Sequence, residues 1–280
     1  MILNWKSALL TGIAALAMSQ AASAAFDHTH AAWSALVGKH VVLISDGNGS
    51  QVRYAAFAQD RQALNAYLAE VSSVTEAEFQ GWDKLRQMAF LINAYNAFTI
   101  EKILTRYPKL KSIRDFGGVF GDPWKDKFFK ILGRDSYLNQ IEHEWLRKPG
   151  SYDEPRVHFA VNCASIGCPL LRGEAYVAEK LDAQLEDQTR RFLSDRTRNR
   201  YNAQKNVLEV SRIFDWFKED WISGYKGISA GAPAITSREQ FFARFARQLA
   251  DKPEQQKIVA DGKAPLALLE YDWTLNDARP

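Results

Sequence analysis

The chain has 280 residues, 46% of them hydrophobic and 25% charged. That composition is globular and excludes disorder, a collagen-like repeat and a disulfide-dense scaffold. Thirty-six Lys and Arg against thirty-three Asp and Glu leave a formal charge of +3, too balanced for the electrostatic footprint of a nucleic-acid partner.

The opening run carries one basic residue, Lys6, then an apolar stretch from Ala8 to Met18, then Ala22-Ser23-Ala24 in the small-x-small pattern of a cleavage site. The apolar stretch falls short of the roughly 20 residues a spanning helix needs. Residues 1–24 are therefore expected to be a cleaved signal peptide, with 25–280 a single exported domain, periplasmic or secreted. No apolar span of membrane length follows Ala25, so no integral membrane segment is expected after cleavage. An oxidising compartment also permits a disulfide between the chain's two cysteines, Cys163 and Cys168.

Two β-prone runs around Asp46-Gly47-Asn48-Gly49 predict a hairpin. Leu64, Tyr67, Leu68 and Val71 recur at helical spacing. Thr75 and Glu78 form a capping-box pattern that predicts a long helix from there to Tyr107, stopped by Pro108 and carrying Asn93 and Asn96 in its apolar centre. Residues 109–134 read as an irregular, aromatic-rich loop. A short helix over SYLNQIEHEWLR precedes PRVHFAVNC, whose alternating Val157, Phe159 and Val161 predict a strand. The segment from Glu174 to Asp195 reads as one amphipathic helix. Strand NVLEV, an N-cap at Ser211, a capping box at Thr236 and Glu239, and a closing strand APLALLEYDWTLN complete the chain. Strands and helices without a βαβ rhythm favour α+β: one domain, with a small, mostly antiparallel sheet packed by helices.

Glu142, His143, His158, Cys163 and Cys168 crowd into one stretch. Thiol catalysis needs a thiolate, made at neutral pH by an imidazole or a cluster of peptide N–H groups, with a carboxylate or amide holding the ring. Cys168, beyond a Gly-containing turn and ahead of a helix, is expected to be the exposed, reactive thiol, and Cys163 the buried one. A local Cys163–Cys168 disulfide and two inert cysteines are the alternatives. His158 is either the base or a structural histidine, and His143 is equally open. Asn93 and Asn96 are read as anchors of neighbouring loop backbone, since a buried amide is costly unless paired. Asn162 shares a face with His158, and Asp272 either orients a histidine or caps locally. No Walker A, G-x-S-x-G or H-E-x-x-H motif occurs, and His28-x-His30 sits at an end expected to be mobile. No cofactor and no metal are expected.

INAYNA, SIRDF, IEHEWLR, PRVHFAVNCASIGCPLL, FDWFKEDW and EYDWTLN, in that order, make the chain resemble the bacterial and plant domain of unknown function 547, over Trp33 to Asn276. The resemblance implies an α+β relative of the papain-like and transglutaminase-like thiol enzymes, with a Cys-His site. The family's Cys-Pro element falls on Cys168-Pro169, its strand histidine on His158 and its Ile-Glu-His element on Ile141, Glu142 and His143. The implied activity is cysteine-dependent hydrolysis or acyl transfer at an amide or thioester. Cys168 would be nucleophile, His158 or His143 the base and Glu142 its orienting group, and the substrate a small molecule, peptide or envelope component. The alternative is a noncatalytic envelope module stapled by a Cys163–Cys168 disulfide.

Overall fold

A computed structural model describes residues 25–118, 121–222, 228 and 234–278; the expected signal peptide, residues 1–24, lies outside them. Its centre is the helix Lys84–Leu104. Every residue from Gln87 to Ile100 in it is buried, the condition of a helix surrounded by protein rather than packed on one face. It is shorter than its pattern predicts. Thr75 does accept the Glu78 N–H, but that cap opens only the short helix Glu76–Gln80. The chain then breaks at Gly81-Trp82, and Asp83 caps the long helix by accepting the Arg86 N–H.

Three small sheets occur among the described residues. Strands β1 (Val41–Ile44) and β2 (Gly49–Val52) form the expected hairpin. A second antiparallel pair, β3 (Phe129–Ile131) and β4 (Arg134–Ser136), lies inside the segment read as loop. Its turn places Leu132 and Gly133 at positive φ, a geometry the bulky Leu132 does not advertise. In the third sheet β5 (Arg200–Asn202) is antiparallel to β6 (Val207–Val210), which pairs in parallel with β7 (Leu266–Leu268). The class is α+β with small, mostly antiparallel sheets, but they are three and separate. No helix among the described residues is long and apolar enough to cross a membrane.

The apolar side chains form two clusters. One surrounds the central helix; the other gathers Phe159, Phe192, Phe214, Trp221 and Phe241 beside the third sheet. Helix Leu181–Ser194, shorter than expected at its start, lends Leu181 and Leu185 to the first and Phe192 and Leu193 to the second. After β7 the chain returns to the first cluster as an extended segment rather than a strand. Leu275 N donates to Lys111 O at 2.7 Å, and Val52 N donates to Asn276 O at 2.8 Å. That return path carries Tyr271 to the site.

Candidate functional site

The cysteine turn is built by amides. Asn162 Oδ1 accepts the Ala164 N–H at 2.9 Å and its Nδ2 donates to Pro169 O at 2.7 Å, tying both ends of the turn. Ala164 adopts φ 61° and Cys168 N donates to Ser165 O at 3.1 Å, so the chain doubles back and sets the two cysteine Cα atoms 6.2 Å apart. Within that reach the structure closes a Cys163–Cys168 disulfide, the alternative left open by the sequence. The turn is pinned to the returning segment by Ile166 N to Thr274 O and Gly167 N to Asp272 O, both 2.8 Å.

Two expectations about the cysteines are corrected. Cys168 is only 3% exposed, whereas Cys163 is partly exposed, because the turn tucks Cys168 beneath Tyr271. No helix begins at Pro169, since Leu170 and Leu171 run on into the core and the next helical turn starts at Ala178. The donors on the Cys168 sulfur therefore come from the turn and from the returning segment: Cys163 N–H at 3.0 Å and Tyr271 Oη–H at 3.2 Å, with the Ser165 hydroxyl oxygen 3.3 Å away. Ser165 Oγ in turn donates to Tyr271 Oη at 3.2 Å.

His158 is not on a strand. Pro155–Phe159 is a 3-10 helix, opened by Pro155 and by Glu154, whose side chain accepts the Arg156 N–H. All five of its residues are buried, so the alternation of apolar types marks no solvent face. His158 Nε2 lies 2.8 Å from Asp220 Oδ2, which also accepts from Arg147 Nε at 2.6 Å. Burial pushes the Asp220 carboxyl up, but the hydrogen bonds from His158 and Arg147 outweigh it and hold the group at about 2. Burial likewise lowers the His158 imidazole, against the pull of Asp220. At neutral pH the pair is thus an ionised carboxylate accepting from neutral His158 Nε2–H, which leaves Nδ1 as the basic nitrogen. The ring is stacked on Phe217, with centroids 4.2 Å apart and planes 12° apart.

His143 lies on a π-helical turn, Gln140–Leu146, in the segment expected to be an ordinary helix. Its Nδ1 accepts from Arg147 Nη1, and burial lowers its pKa; the neutral ring therefore carries its proton on Nε2. Arg147 thus connects both imidazoles, one directly and one through Asp220. Glu142 does not orient either ring closely: its Oε1 is 4.0 Å from His143 Nδ1, and its carboxylate instead bonds the buried Tyr95 phenol.

Asn93 clamps the Tyr176 backbone, donating to its O at 2.7 Å and accepting its N–H at 3.0 Å. Asn96 donates to Ala160 O at 2.9 Å and accepts the Asn162 N–H at 2.8 Å. Asp272 is exposed and accepts the Thr274 N–H at 2.8 Å, a local cap remote from any imidazole partnership. His28 and His30 pack among Phe26, Trp82 and Tyr67 instead of trailing free.

A cleft of about 240 Å³ opens where the two apolar clusters meet. Cys163, Cys168, His143, His158 and Glu142 all line it, beneath a rim that includes Trp216 and Trp273. Tyr271, which the sequence offered only as part of a buried polar staple with Asp272 and Trp273, belongs to the site; Asp220 and Arg147, which support the imidazoles, were not singled out. The tyrosine of EYDW and the acids of FDWFKEDW were visible, but only the fold shows what each touches.

Residues 79–193 match the model of a family described as protein of unknown function, DUF547. This supports that family for the segment holding the disulfide, both imidazoles and Glu142, while Asp220 and Tyr271 lie outside it. No curated protein and no solved structure matches the chain.

Proposed function

We propose that the chain is an exported cysteine-dependent hydrolase or acyl-transferase that acts, in its reduced state, on an amide or thioester of a small molecule, peptide or envelope component. The observation that carries this is the convergence of both cysteines on one cleft with a tautomer-fixed imidazole. Reduction would leave the Cys168 sulfur facing the Cys163 N–H and the Tyr271 hydroxyl, donors that favour a thiolate. His158 Nδ1 takes the thiol proton, and Asp220 stabilises the imidazolium. The thiolate attacks the carbonyl carbon, the leaving amine or thiol recovers the proton, and water or an acceptor cleaves the thioester so formed. His143 suits the other role, since its Nε2–H is a donor to a developing oxyanion. His158 is therefore the base in preference to His143.

A second reading is favoured by the closed disulfide and the burial of Cys168: a noncatalytic envelope module stapled at this turn. Turnover of p-nitrophenyl acetate by reduced protein, lost in Cys168→Ser and in His158→Ala, tests between them. Turnover indifferent to both substitutions overturns the enzyme. Export is tested by intact mass of the periplasmic or secreted form, which is expected to begin at or next to Ala25; retention of residues 1–24 overturns it.

A further inference from the structure

The two half-cystines are chemically unlike. Cys163 is the less buried, while Cys168 is 3% exposed. Both sulfurs lie within 3.3 Å of the Tyr271 and Ser165 hydroxyls. Among the described contacts only the Cys168 sulfur also receives a backbone donor, Cys163 N–H at 3.0 Å. The Tyr271 hydroxyl has a single proton to give, and Ser165 Oγ–H donates onto its oxygen at 3.2 Å, which makes that proton a better donor to a sulfur bearing charge. A disulfide sulfur gains little from such donors; a thiolate gains much.

Thiol–disulfide exchange is fastest when the attacked sulfur is accessible and the departing sulfur is the stabilised thiolate. We propose that the Cys163–Cys168 disulfide is a site of exchange with low-molecular-weight thiols, with Cys163 the sulfur attacked and Cys168 the sulfur released. An incoming thiolate RS⁻ forms an S–S bond to Cys163 Sγ. The Cys163–Cys168 bond breaks, and its electron pair stays on Cys168 as a thiolate. A second RS⁻ attacks the R sulfur of the mixed disulfide, releasing RSSR and leaving Cys163 as a thiolate. The net change is two thiols oxidised to one disulfide and the protein disulfide reduced to a dithiol. In the reverse sense Cys168 thiolate attacks Cys163 in its mixed disulfide and recloses the turn.

Its consequence for catalysis rests on the function proposed above: the same event that thiolates Cys163 frees the Cys168 nucleophile, so exchange switches the hydrolase on. The exchange chemistry itself stands without that reading.

The test uses oxidised full-length mature protein with reduced glutathione at neutral pH, acid quenching and peptide mapping. The expected result is a glutathionyl adduct on Cys163 at least about tenfold over Cys168, with the opening rate falling about tenfold in Tyr271→Phe. Cys168→Ser treated with oxidised glutathione should hold a persistent adduct on Cys163, which the wild type resolves. Equal adducts on both cysteines, a preference for Cys168, or no opening by millimolar glutathione without denaturant would overturn the proposal. Ester turnover is read separately on Cys163→Ser, whose Cys168 is free without reductant. Adducts on Cys163 together with inert Cys163→Ser would sink the hydrolase and leave the exchange site standing.

Discussion

The ring of Tyr271 rests against Gly167 so closely that a Cβ on residue 167 would fall 2.9 Å from three of its carbons. Real side chains do not approach so near, and the ring is backed by Trp216 and Trp273, with centroids at 4.9 and 4.6 Å. The glycine is therefore what lets the phenol reach both sulfurs. Gly167→Ala is expected to displace the ring, to cost about 1–3 kcal/mol by overpacking and to slow opening of the disulfide by glutathione as Tyr271→Phe does. Urea denaturation and adduct mapping check the two effects. An unchanged opening rate would separate Gly167 from the chemistry.

Asp220 joins Arg147 and His158 through one carboxylate oxygen. Asp220→Asn keeps the shape and removes the charge. With the carboxylate 22% exposed, solvent screening tempers the loss, and about 1–3 kcal/mol is expected. The sharper readout is nitrogen NMR of the imidazole: His158 should change from a single Nε2–H tautomer to a mixture. Persistence of one tautomer would place the control of that ring elsewhere.

Much of the architecture is legible in the chain because local chemistry states it. The Asp46–Gly49 turn marks the hairpin, and the spacing of Leu64, Tyr67, Leu68 and Val71 marks the buried face of the helix Arg61–Ser73. Period arguments fail where burial is complete. Val157, Phe159 and Val161 alternate as in a strand, yet His158 and Ala160 between them are equally buried, so the pattern marks no face. The site is half legible for a different reason. Glu142, His143, His158 and the cysteines are close in sequence, whereas Tyr271 reaches the disulfide from 103 residues beyond Cys168 and Asp220 reaches His158 from 62 residues away. No spacing rule joins such partners; only the return of the chain after β7 and the packing of the second cluster do.

Acid should weaken the fold below neutrality. Burial, reinforced by His28 and opposed by Asp27, takes the His30 imidazole from 6.5 to about 4 in the folded chain; its Nδ1 pairs with the Tyr67 hydroxyl at 2.8 Å. Above pH 6.5 the ring is neutral in both states and contributes no pH dependence. As pH falls from there the unfolded chain takes up the proton first, so stability drops, approaching a loss of roughly 3 kcal/mol near pH 4 at about 1.4 kcal/mol per pH unit. His158 and His143, also lowered by burial, add in the same sense. Asp220 acts later, since a carboxyl held at about 2 loses its stabilising charge only below the ordinary carboxylate range. His30→Asn, which tolerates the φ of 49° at that position, should flatten the slope between pH 6.5 and 4. Urea unfolding across that range decides it, and an unaltered slope would remove His30 from the account.

The two buried asparagines of the central helix should separate fold from site. Each makes two backbone hydrogen bonds, so replacing either with Leu strands a carbonyl and an N–H, and each substitution should lower stability by about 2 kcal/mol or more. Their targets differ. Asn93 holds Tyr176, a residue of the loop leading to helix Leu181–Ser194. Asn96 holds Ala160 and Asn162, and Asn162 itself ties Ala164 to Pro169 around the disulfide. Asn93→Leu is thus expected to reduce the melting temperature while leaving glutathione adducts on Cys163. Asn96→Leu should reduce it similarly and also blur the choice between Cys163 and Cys168, because the amide that fixes Cys163 N–H on the Cys168 sulfur is reached through Asn162. Equal adduct patterns in the two variants would mean that the turn holds its own geometry, with Asn162 and the Tyr271 segment sufficient to keep it.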